Sequence, residues 1–182
     1  MKTVLVPLAD GFEEIEAVTI VDILRRAGAD VTIAGLVKRN VKGSHDLRVI
    51  ADTILAEVLE KTWDMIVLPG GVPGAPNLME DKRIIKLLKD QAASLKISAA
   101  ICAAPAVLEK AGLTENREVT SHPAWADKMT TAIHTGERVQ VAKHLVTGQA
   151  AGSAMEFAFK LVETLYGPEM VAEINSGVLA NL

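Results

Sequence analysis

The sequence predicts an α/β fold, a layered sandwich built around a largely parallel sheet. Short apolar runs, which are typical of strands covered on both faces, alternate along the chain with longer segments of helical periodicity. Aromatic residues make up only 3% of the 182 residues, so aliphatic side chains must form the core. The length suits one domain, which we predict over residues 1–182.

The first half of the chain begins with a strand and a helix. Residues 4–8 form a short apolar run that predicts the first strand, and an apolar stripe predicts a helix over residues 12–27. Asp10 and Glu13 have the spacing of a capping box at the start of that helix, and Gly28 ends it. The further strands predicted here are residues 31–34, residues 64–68 and two short strands on either side of a turn at Gly43 and Ser44.

The second half repeats the alternation of helix and strand. A rigid loop is predicted over residues 72–77, followed by one helix over residues 78–93. The remaining predicted elements are a strand over 97–101, a turn at Cys102, a helix to Ala111, a strand pair over 139–142 and 145–147, and helices over 153–166 and 169–174. Open sheets of this kind bind ligands at the carboxyl ends of their strands. The segments that we expect at that edge are residues 10–16, 70–74, 102–104 and 121–123.

Composition and charge exclude several classes of protein. The formal net charge of −4 gives no basic surface for nucleic acid or an anionic membrane, and no apolar run approaches the roughly 18 residues of a membrane span. The first residues resemble a buried strand rather than a signal peptide. A single cysteine excludes an internal disulfide and a cysteine-based zinc site, and it fits a reducing cytoplasm. We therefore predict a cytoplasmic protein without a metal ion or cofactor.

The one cysteine, Cys102, lies where an apolar strand is predicted to break into a helix. Small residues, Ala100 and Ala104, stand two places before it and two places after it. This pattern meets the steric requirement of a nucleophile elbow, a tight strand-to-helix turn that exposes one side chain above the sheet. A buried and inert cysteine is the alternative, and the strand–cysteine–helix context favours the reactive one.

A carboxyl group beside this sulfur would decide its charge. Glu16 follows Glu13 and Glu14 in the first turn of a predicted helix, where acidic residues commonly do no more than complement the helix dipole. Glu16 differs because it borders the apolar side of the helix, so burial should raise its pKa. An ionised Glu16 would raise the pKa of the thiol, whereas a protonated Glu16 would donate a hydrogen bond to the thiolate and lower it. A helix terminus alone contributes at most about 2 kcal/mol, less than the roughly 4 kcal/mol that a three-unit fall in the thiol pKa requires.

Backbone amides and a histidine complete the candidate site. Gly71, in the Gly70-Gly71 pair that follows a strand, and Ala103 could form an oxyanion hole with their backbone N–H groups, and a plain strand-ending turn is the alternative. His122 precedes Pro123 after a strand and is a candidate general base, with a capped strand end or a core histidine as the alternatives. The other histidines lack the spacing of metal ligands, and we predict that they are surface residues: His45, His134 and His144.

Five segments of the chain, taken together, resemble the ThiJ/PfpI superfamily. The resemblance spans essentially the whole length, and it is closest to the branch of the Parkinsonism-associated protein deglycase and its bacterial homologues. The segments, in family order, are GFEEIEA (residues 11–17), RRAG (25–28), VLPGG (67–71), AAICAAP (99–105) and TSHP (120–123).

The resemblance implies a flavodoxin-like three-layer α/β/α sandwich with a mostly parallel sheet, usually assembled as a homodimer. It implies that Cys102 is the reactive cysteine and that Glu16 is its carboxyl partner. It also implies that Gly71 and Ala103 supply the oxyanion-hole amides and that His122 is the nearby histidine. The activities ascribed to this superfamily are cofactor-free glyoxalase action, deglycation of early aldehyde adducts, chaperone action and oxidative-stress sensing.

Two positions depart from the pattern of close relatives. His45 stands where those relatives often carry an arginine near the cysteine, and Gln149 replaces an arginine that is common in a later loop. Either change could alter anion binding or the response to oxidation. The additional cysteines of some relatives are missing here, so regulation through a second thiol is not expected.

Two functions follow from these residues and the resemblance. The first is a cofactor-independent cysteine enzyme of the glyoxalase or protein-deglycase type, which acts on small α-oxoaldehydes such as methylglyoxal or on their adducts and forms lactate. The second is an oxidative-stress sensor or redox-regulated chaperone, in which Cys102 becomes a sulfinate held by protonated Glu16. A role in thiamine-precursor metabolism is a weaker third hypothesis, because the sequence has no phosphate-binding motif to support it.

Overall fold

A seven-stranded sheet forms the centre of the molecule in the computed structural model, which describes residues 1–180. The strands of the chain are Thr3–Leu8 (β1), Asp30–Gly35 (β2), Asn40–Lys42 (β3), Arg48–Ile50 (β4), Thr53–Ile54 (β5), Met65–Leu68 (β6), Ile97–Ile101 (β7), Glu118–Val119 (β8), Ile133–His134 (β9), Val139–Ala142 (β10) and Leu145–Gly148 (β11). The central sheet has the order β10-β11-β7-β6-β1-β2-β5, and its neighbouring strands are parallel except for β10 and β11. The antiparallel hairpin β3–β4 and the short pair β8–β9 lie outside it.

Helices cover both faces of this sheet. They are Glu14–Arg26 (α1), Gly74–Glu80 (α2), Lys82–Ala93 (α3), Pro105–Lys110 (α4), Pro123–Ala126 (α5), Ala154–Tyr166 (α6) and Pro168–Val178 (α7). The apolar core on one face joins the sheet to α1, α6 and α7, and the core on the other face joins it to α2, α3 and α4. Successive residues of β1 show the division, because Val4 packs into the first core and Leu5 into the second. The flavodoxin-like three-layer sandwich is thus confirmed. Within residues 1–180, none of the helices has the length and apolar character that crossing a membrane requires.

The prediction of one helix over residues 78–93 is wrong, because the helix begins earlier and the segment is divided into two helices. Helix α2 begins at Gly74, inside the predicted rigid loop, and it ends at Glu80. Asp81 then takes an extended conformation, and its carboxylate accepts a hydrogen bond from the Arg83 backbone N at 2.9 Å. Asp81 is therefore the N-cap of α3, and a residue in that extended conformation cannot continue the helix before it.

The capping box predicted at Asp10 and Glu13 is also wrong. Glu13 is the N-cap residue of α1, but its side chain makes no capping hydrogen bond. The Asp10 carboxylate instead accepts a hydrogen bond from the Lys42 backbone N at 2.9 Å and pairs with Lys38 Nζ at 2.7 Å. Both partners lie far along the chain, so the local spacing of acidic residues could not reveal them.

The parallel register brings the ends of three central strands to one edge of the sheet. Val4 of β1 lies opposite Met65 of β6, which lies opposite Ile97 of β7. The segments that follow these strands therefore meet, as predicted, at the carboxyl edge. The expectation for residues 121–123 needs one correction, because β8 before them belongs to a separate two-stranded sheet. The segment still reaches the edge, since the His122 backbone N donates to the Cys102 carbonyl at 2.9 Å.

Candidate active site

Cys102 occupies the turn between β7 and α4, in the left-handed region of backbone conformation, with a φ of 65°. Its backbone N donates to the Gly148 carbonyl at 3.0 Å, which ties the turn to the end of β11. A residue other than glycine costs about 1–2 kcal/mol in this conformation, and the packed surroundings hold it there, because Ala103 and Ala104 are both buried. The side chain itself is half-buried. This is the geometry of a nucleophile elbow.

Two glycines let the loop after β6 approach the cysteine closely. A Cβ added at Gly70 would lie 2.7 Å from Cys102 Cβ and 2.8 Å from Glu16 Oε2. Gly71 has a φ of 94°, and a Cβ added there would lie 2.3 Å from a backbone nitrogen of the loop before α1. Neither position has room for a side chain. As a result, the backbone N–H groups of Gly71 and Ala103 lie near the Cys102 sulfur, where both lower the pKa of the thiol.

Glu16 lies in the first turn of α1, and its side chain is fully buried. Its Oε2 accepts a hydrogen bond from the Gly70 backbone N at 2.7 Å, and its Oε1 has no hydrogen-bond partner of regular geometry among the described residues. Burial raises the pKa of this carboxyl to about 7, an effect that the hydrogen bonds from Gly70 and Cys102 oppose and the negative charge of Glu13 reinforces. The carboxyl can therefore hold or release a proton near neutral pH.

Burial and the charge of Glu16 act in the same direction on the Cys102 thiol. Together with the hydrogen bond to Glu16, they raise the pKa of the thiol to about 12, and the amides of Ala103 and Gly71 oppose the increase. An ionised Glu16 thus raises the thiol pKa, as the sequence analysis expected for that charge state. A thiolate at neutral pH requires that Glu16 carry the proton.

The two groups share one negative charge, and the site can place it on the sulfur. Counted from the ordinary thiol value of 9.0, before burial of the sulfur widens it, the gap to the carboxyl pKa of about 7 corresponds to about 2.7 kcal/mol. A hydrogen bond to a charged group contributes about 1.5–3 kcal/mol. Protonated Glu16 and two backbone amides could together donate three such bonds to a thiolate, whereas ionised Glu16 accepts two, one from the Gly70 backbone N and one from the Cys102 thiol. The half-buried sulfur also retains more contact with water than the fully buried carboxyl.

His122 lies at the same edge, but its ring is directed elsewhere. The ring Nδ1 accepts a hydrogen bond from the Ala124 backbone N at 3.2 Å, so His122 is the N-cap of α5. In the part of the chain that the structure describes, no hydrogen bond joins this ring to Cys102 or Glu16, and the residue is exposed. Because Nδ1 accepts, Nε2 carries the proton of the neutral ring and can face a substrate.

His45 and Gln149, the two departures from the family pattern, lie in different surroundings. His45 is exposed, as predicted, and its Nδ1 lies 3.0 Å from Glu14 Oε2 and 3.5 Å from Glu13 Oε2. The hydrogen bond to Glu14 and the charges of both acids raise the pKa of the imidazole. The ligand-type atoms of these three residues all lie within 4.8 Å of one another, and hydrogen bonds among them account for the arrangement. Gln149 Nε2 donates to the Gly136 carbonyl at 2.8 Å. The expected absence of a metal ion stays a prediction.

Sequence reasoning missed three contributions to the site. The pair Gly70-Gly71 signals a close backbone approach, but not that the Gly70 N–H would hold Glu16. The Gly148 carbonyl reaches Cys102 only through the register of the sheet, in which Gly148 lies opposite Ile101. Glu13, set aside as a residue that complements the helix dipole, adds to the negative potential at Glu16.

The fold and this site define a class of α/β proteins that carry a cysteine on a strand-to-helix turn beside a buried carboxyl group. A family model described as the DJ-1/PfpI family matches residues 2–164. The chain therefore belongs to the DJ-1/PfpI family, which is the ThiJ/PfpI superfamily identified from the sequence.

Individual relatives agree with this assignment. The chain is 41% identical over 178 residues to Protein DJ-1 homolog A of Arabidopsis thaliana, a match that covers 97% of the chain and 45% of that longer protein, so the chain spans about half its length. It is 40% identical over 168 residues to the Glutathione-independent glyoxalase DJR-1.2 of Caenorhabditis elegans, with 91% of the chain and 89% of the relative covered. The crystal structure of Drosophila melanogaster DJ-1beta superimposes with a TM-score of 0.95 at 39% identity and covers 98% of this chain and 97% of that one.

We expect ultraviolet titration of the thiolate to show that the first proton lost by the Cys102–Glu16 pair leaves the sulfur. Because either group can lose that proton, the first pKa of the pair cannot exceed the carboxyl value of about 7. Glu16→Leu removes the proton donor and should raise the thiol pKa by about one to two units above the wild-type midpoint. Glu16→Gln keeps a neutral N–H donor and should give a smaller change.

Glu13→Gln is the matched control, since it removes a neighbouring charge but none of the groups that contact the sulfur. A wild-type thiolate signal that rises only above pH about 9 would place the charge on Glu16 and contradict this assignment.

Proposed function

We propose that this protein is a cofactor-independent enzyme that acts on small α-oxoaldehydes such as methylglyoxal, or on their fresh adducts with amines and thiols. The observation that carries the proposal is the contact between a half-buried thiol and a fully buried carboxyl whose pKa is raised to about 7. This is the pairing that nucleophilic attack followed by proton transfer requires. The relative that is named a glutathione-independent glyoxalase supports the choice of substrate class.

The first step is addition of the Cys102 thiolate to the aldehyde carbon. A carbon–sulfur bond forms, the carbonyl π bond breaks, and its electron pair becomes an oxyanion. The N–H groups of Gly71 and Ala103 face the sulfur, and we assign them as the donors that stabilise that oxygen. Glu16, which carries the proton while Cys102 is a thiolate, gives that proton to the oxyanion, so a hemithioacetal forms and Glu16 is left as a carboxylate.

The second step moves a proton between neighbouring carbons. The Glu16 carboxylate removes the proton from the former aldehyde carbon and returns one to the adjacent carbon, with His122 Nε2 as its relay partner on the solvent side, and a 2-hydroxy thioester results. Water then cleaves the thioester, which releases the hydroxy acid and restores the thiol. Methylglyoxal and water give lactate, so one carbon is oxidised, its neighbour is reduced, and no external electron acceptor is consumed.

We expect Cys102→Ala to abolish the conversion of methylglyoxal to lactate, because the hemithioacetal cannot form. Glu16→Gln should lower the rate by about 10²–10⁴-fold, the usual contribution of a general acid–base group. His122→Ala should have a smaller effect, since its ring does not contact the sulfur. Enzymatic measurement of D- and L-lactate in purified variants checks all three.

Glu80→Gln is a suitable control, because this carboxylate is exposed on α2 and lies outside the site. Circular dichroism should show that each variant is folded. A folded Cys102→Ala protein that produced lactate at the wild-type rate would rule out the mechanism.

A second candidate function, oxidative-stress sensing, is favoured by the buried Glu16 Oε1 that lacks a regular hydrogen bond. A sulfinate on Cys102 has two oxygens that accept hydrogen bonds, one from protonated Glu16 and others from the amides of Gly71 and Ala103. The thiolate would attack one peroxide to give a sulfenic acid and a second peroxide to give the sulfinate, with two waters released. Such a form would be held by the same groups that activate the thiol.

Mild hydrogen peroxide should therefore add two oxygens to Cys102 in the intact protein, as measured by mass spectrometry. We expect Glu16→Leu to reduce the yield of the two-oxygen form relative to the one-oxygen and three-oxygen forms, because it cannot donate to a sulfinate. Glu13→Gln should resemble the wild type. If the wild-type product passes directly to three oxygens, this second function loses its physical basis.

We also propose that the protein is a homodimer, as the family resemblance implies, and we infer from the exposed apolar side chains that α1 and the β3–β4 hairpin form its interface. Ile15 and Val18 on α1 are 57% and 54% exposed, and Leu47 and Ile50 of the hairpin segment are also largely exposed. A cavity of about 220 Å³ between α1 and the hairpin has a mainly aliphatic lining. A second copy of this chain would cover apolar surface that is otherwise in water.

Sedimentation analysis should give the mass of a dimer for the wild type and a larger monomer fraction for Val18→Glu. Ile133→Glu is the matched control, because Ile133 is equally exposed, at 54%, but lies on β9 away from that face. Equal masses for wild type and Val18→Glu would contradict the proposed interface. The cytoplasmic location, the single domain over residues 1–182 and the small aldehyde or glycated adduct as partner stay predictions.

A further inference from the structure

A small cavity with polar side chains in its lining lies at the amino end of the sheet, on the side away from Cys102. It has a volume of about 70 Å³, and its polar lining consists of Lys96, Ser98, Arg117 and His144 among aliphatic side chains. Ser98 belongs to β7, the strand that carries Cys102 at its other end, so the two positions are about 13 Å apart along the chain. This cavity is not part of the site already described.

Ser98 is the innermost polar group of the cavity. Its side chain is 1% exposed, and its Oγ is buried and has no hydrogen-bond partner among residues 1–180. Its backbone N donates to the His144 carbonyl at 2.9 Å, so the main chain is satisfied and only the hydroxyl is not. Buried hydroxyls in proteins nearly always have a partner, which indicates that an acceptor or a donor belongs in this cavity.

The charge around the hydroxyl favours an anion. Lys96 and Arg117 are half-buried, His144 is exposed at the mouth, and no carboxylate lines the cavity. None of the ion pairs formed within the described residues involves Lys96 or Arg117, although Asp64 interacts with Lys96 electrostatically from outside the lining. A cluster of cations without acids is unusual in a chain of net charge −4.

Complementing a helix dipole does not account for this cluster. Lys96 follows the carboxyl end of α3, where cations are often found. The last carbonyls of that helix are already satisfied by the backbone, because Ala92 accepts from Leu95 and Gln91 accepts from Lys96. Arg117 and His144 lie before β8 and in the β10–β11 turn, so neither belongs to a helix end.

The size of the cavity limits the ligand. A cavity needs roughly 10–15 Å³ to admit one water-sized group, so about 70 Å³ admits only a small ligand of a few non-hydrogen atoms. A phosphate or sulfate group has five. We propose that Lys96, Ser98 and Arg117 form a binding site for a small tetrahedral oxyanion, a phosphate group that is free or at the end of a larger metabolite, with His144 at the entrance.

The proposal is tested by nuclear magnetic resonance titration of the full chain with inorganic phosphate, with chloride replaced so that the ionic strength stays constant. We expect saturable shifts of the Ser98, Arg117 and His144 amides. Ser98→Ala and Arg117→Gln should each weaken binding at least tenfold, whereas Lys110→Gln, an exposed cation on α4 outside the cavity, should bind like the wild type.

Parallel titrations with glycerol 3-phosphate and with acetate identify the source and shape of the anion. Tighter binding of the phosphomonoester points to a metabolite, and equal or tighter binding of inorganic phosphate points to the free ion; both support the site. Shifts that do not saturate, equal binding by Ser98→Ala or Arg117→Gln, or a preference for planar acetate would overturn it. A crystal structure grown in phosphate that shows only water against Ser98 Oγ would do the same.

Discussion

The proton shared by Glu16 and Cys102 is the interaction on which the proposed chemistry of this protein depends. Two ionised groups in contact inside a fold repel each other, so the pair holds at most one negative charge near neutral pH. Burial makes the carboxyl a poor place for that charge, because its side chain is fully buried and has one backbone donor. Two amides and partial exposure make the sulfur a better one. Reactivity therefore comes from the cost of ionising Glu16 as much as from any direct activation of the thiol.

Of the two adjoining turns that form this arrangement, the one at Cys102 is strained. Cys102 and Gly71 both have φ values in the left-handed region, and only the second is a glycine. The strain at Cys102 persists because the residues around it are fixed by the sheet, through the bond from its N to Gly148, and by close packing of alanines. A larger side chain at Gly70 would collide with both members of the pair. The site is rigid because the core elements on either side leave it no room.

Features that are set by neighbouring residues can be predicted from the sequence, whereas features that are set by partners far along the chain cannot. Apolar periodicity is local, so the central strands and the burial of Glu16 on one side of its helix can be predicted from the amino-acid sequence. The break at Asp81 and the role of Asp10 do not, because each side chain has competing partners, and the choice is made by Arg83 in one case and by Lys38 and Lys42 in the other. The Gly148 contact and the ring orientation of His122 are set by tertiary register alone.

The same electrostatics serves aldehyde chemistry and peroxide chemistry, so geometry at the sulfur alone does not separate the two functions. They differ in what happens to the proton on Glu16. In the aldehyde reaction the carboxyl must release and regain a proton in every turnover, and a pKa near 7 is suited to that exchange. In the oxidised form the proton stays on Oε1 as a permanent donor. The carboxyl pKa of about 7 applies beside an uncharged thiol, and an anionic sulfinate in its place would raise that pKa further and hold the proton, so the same buried carboxyl meets the demands of both proposed reactions.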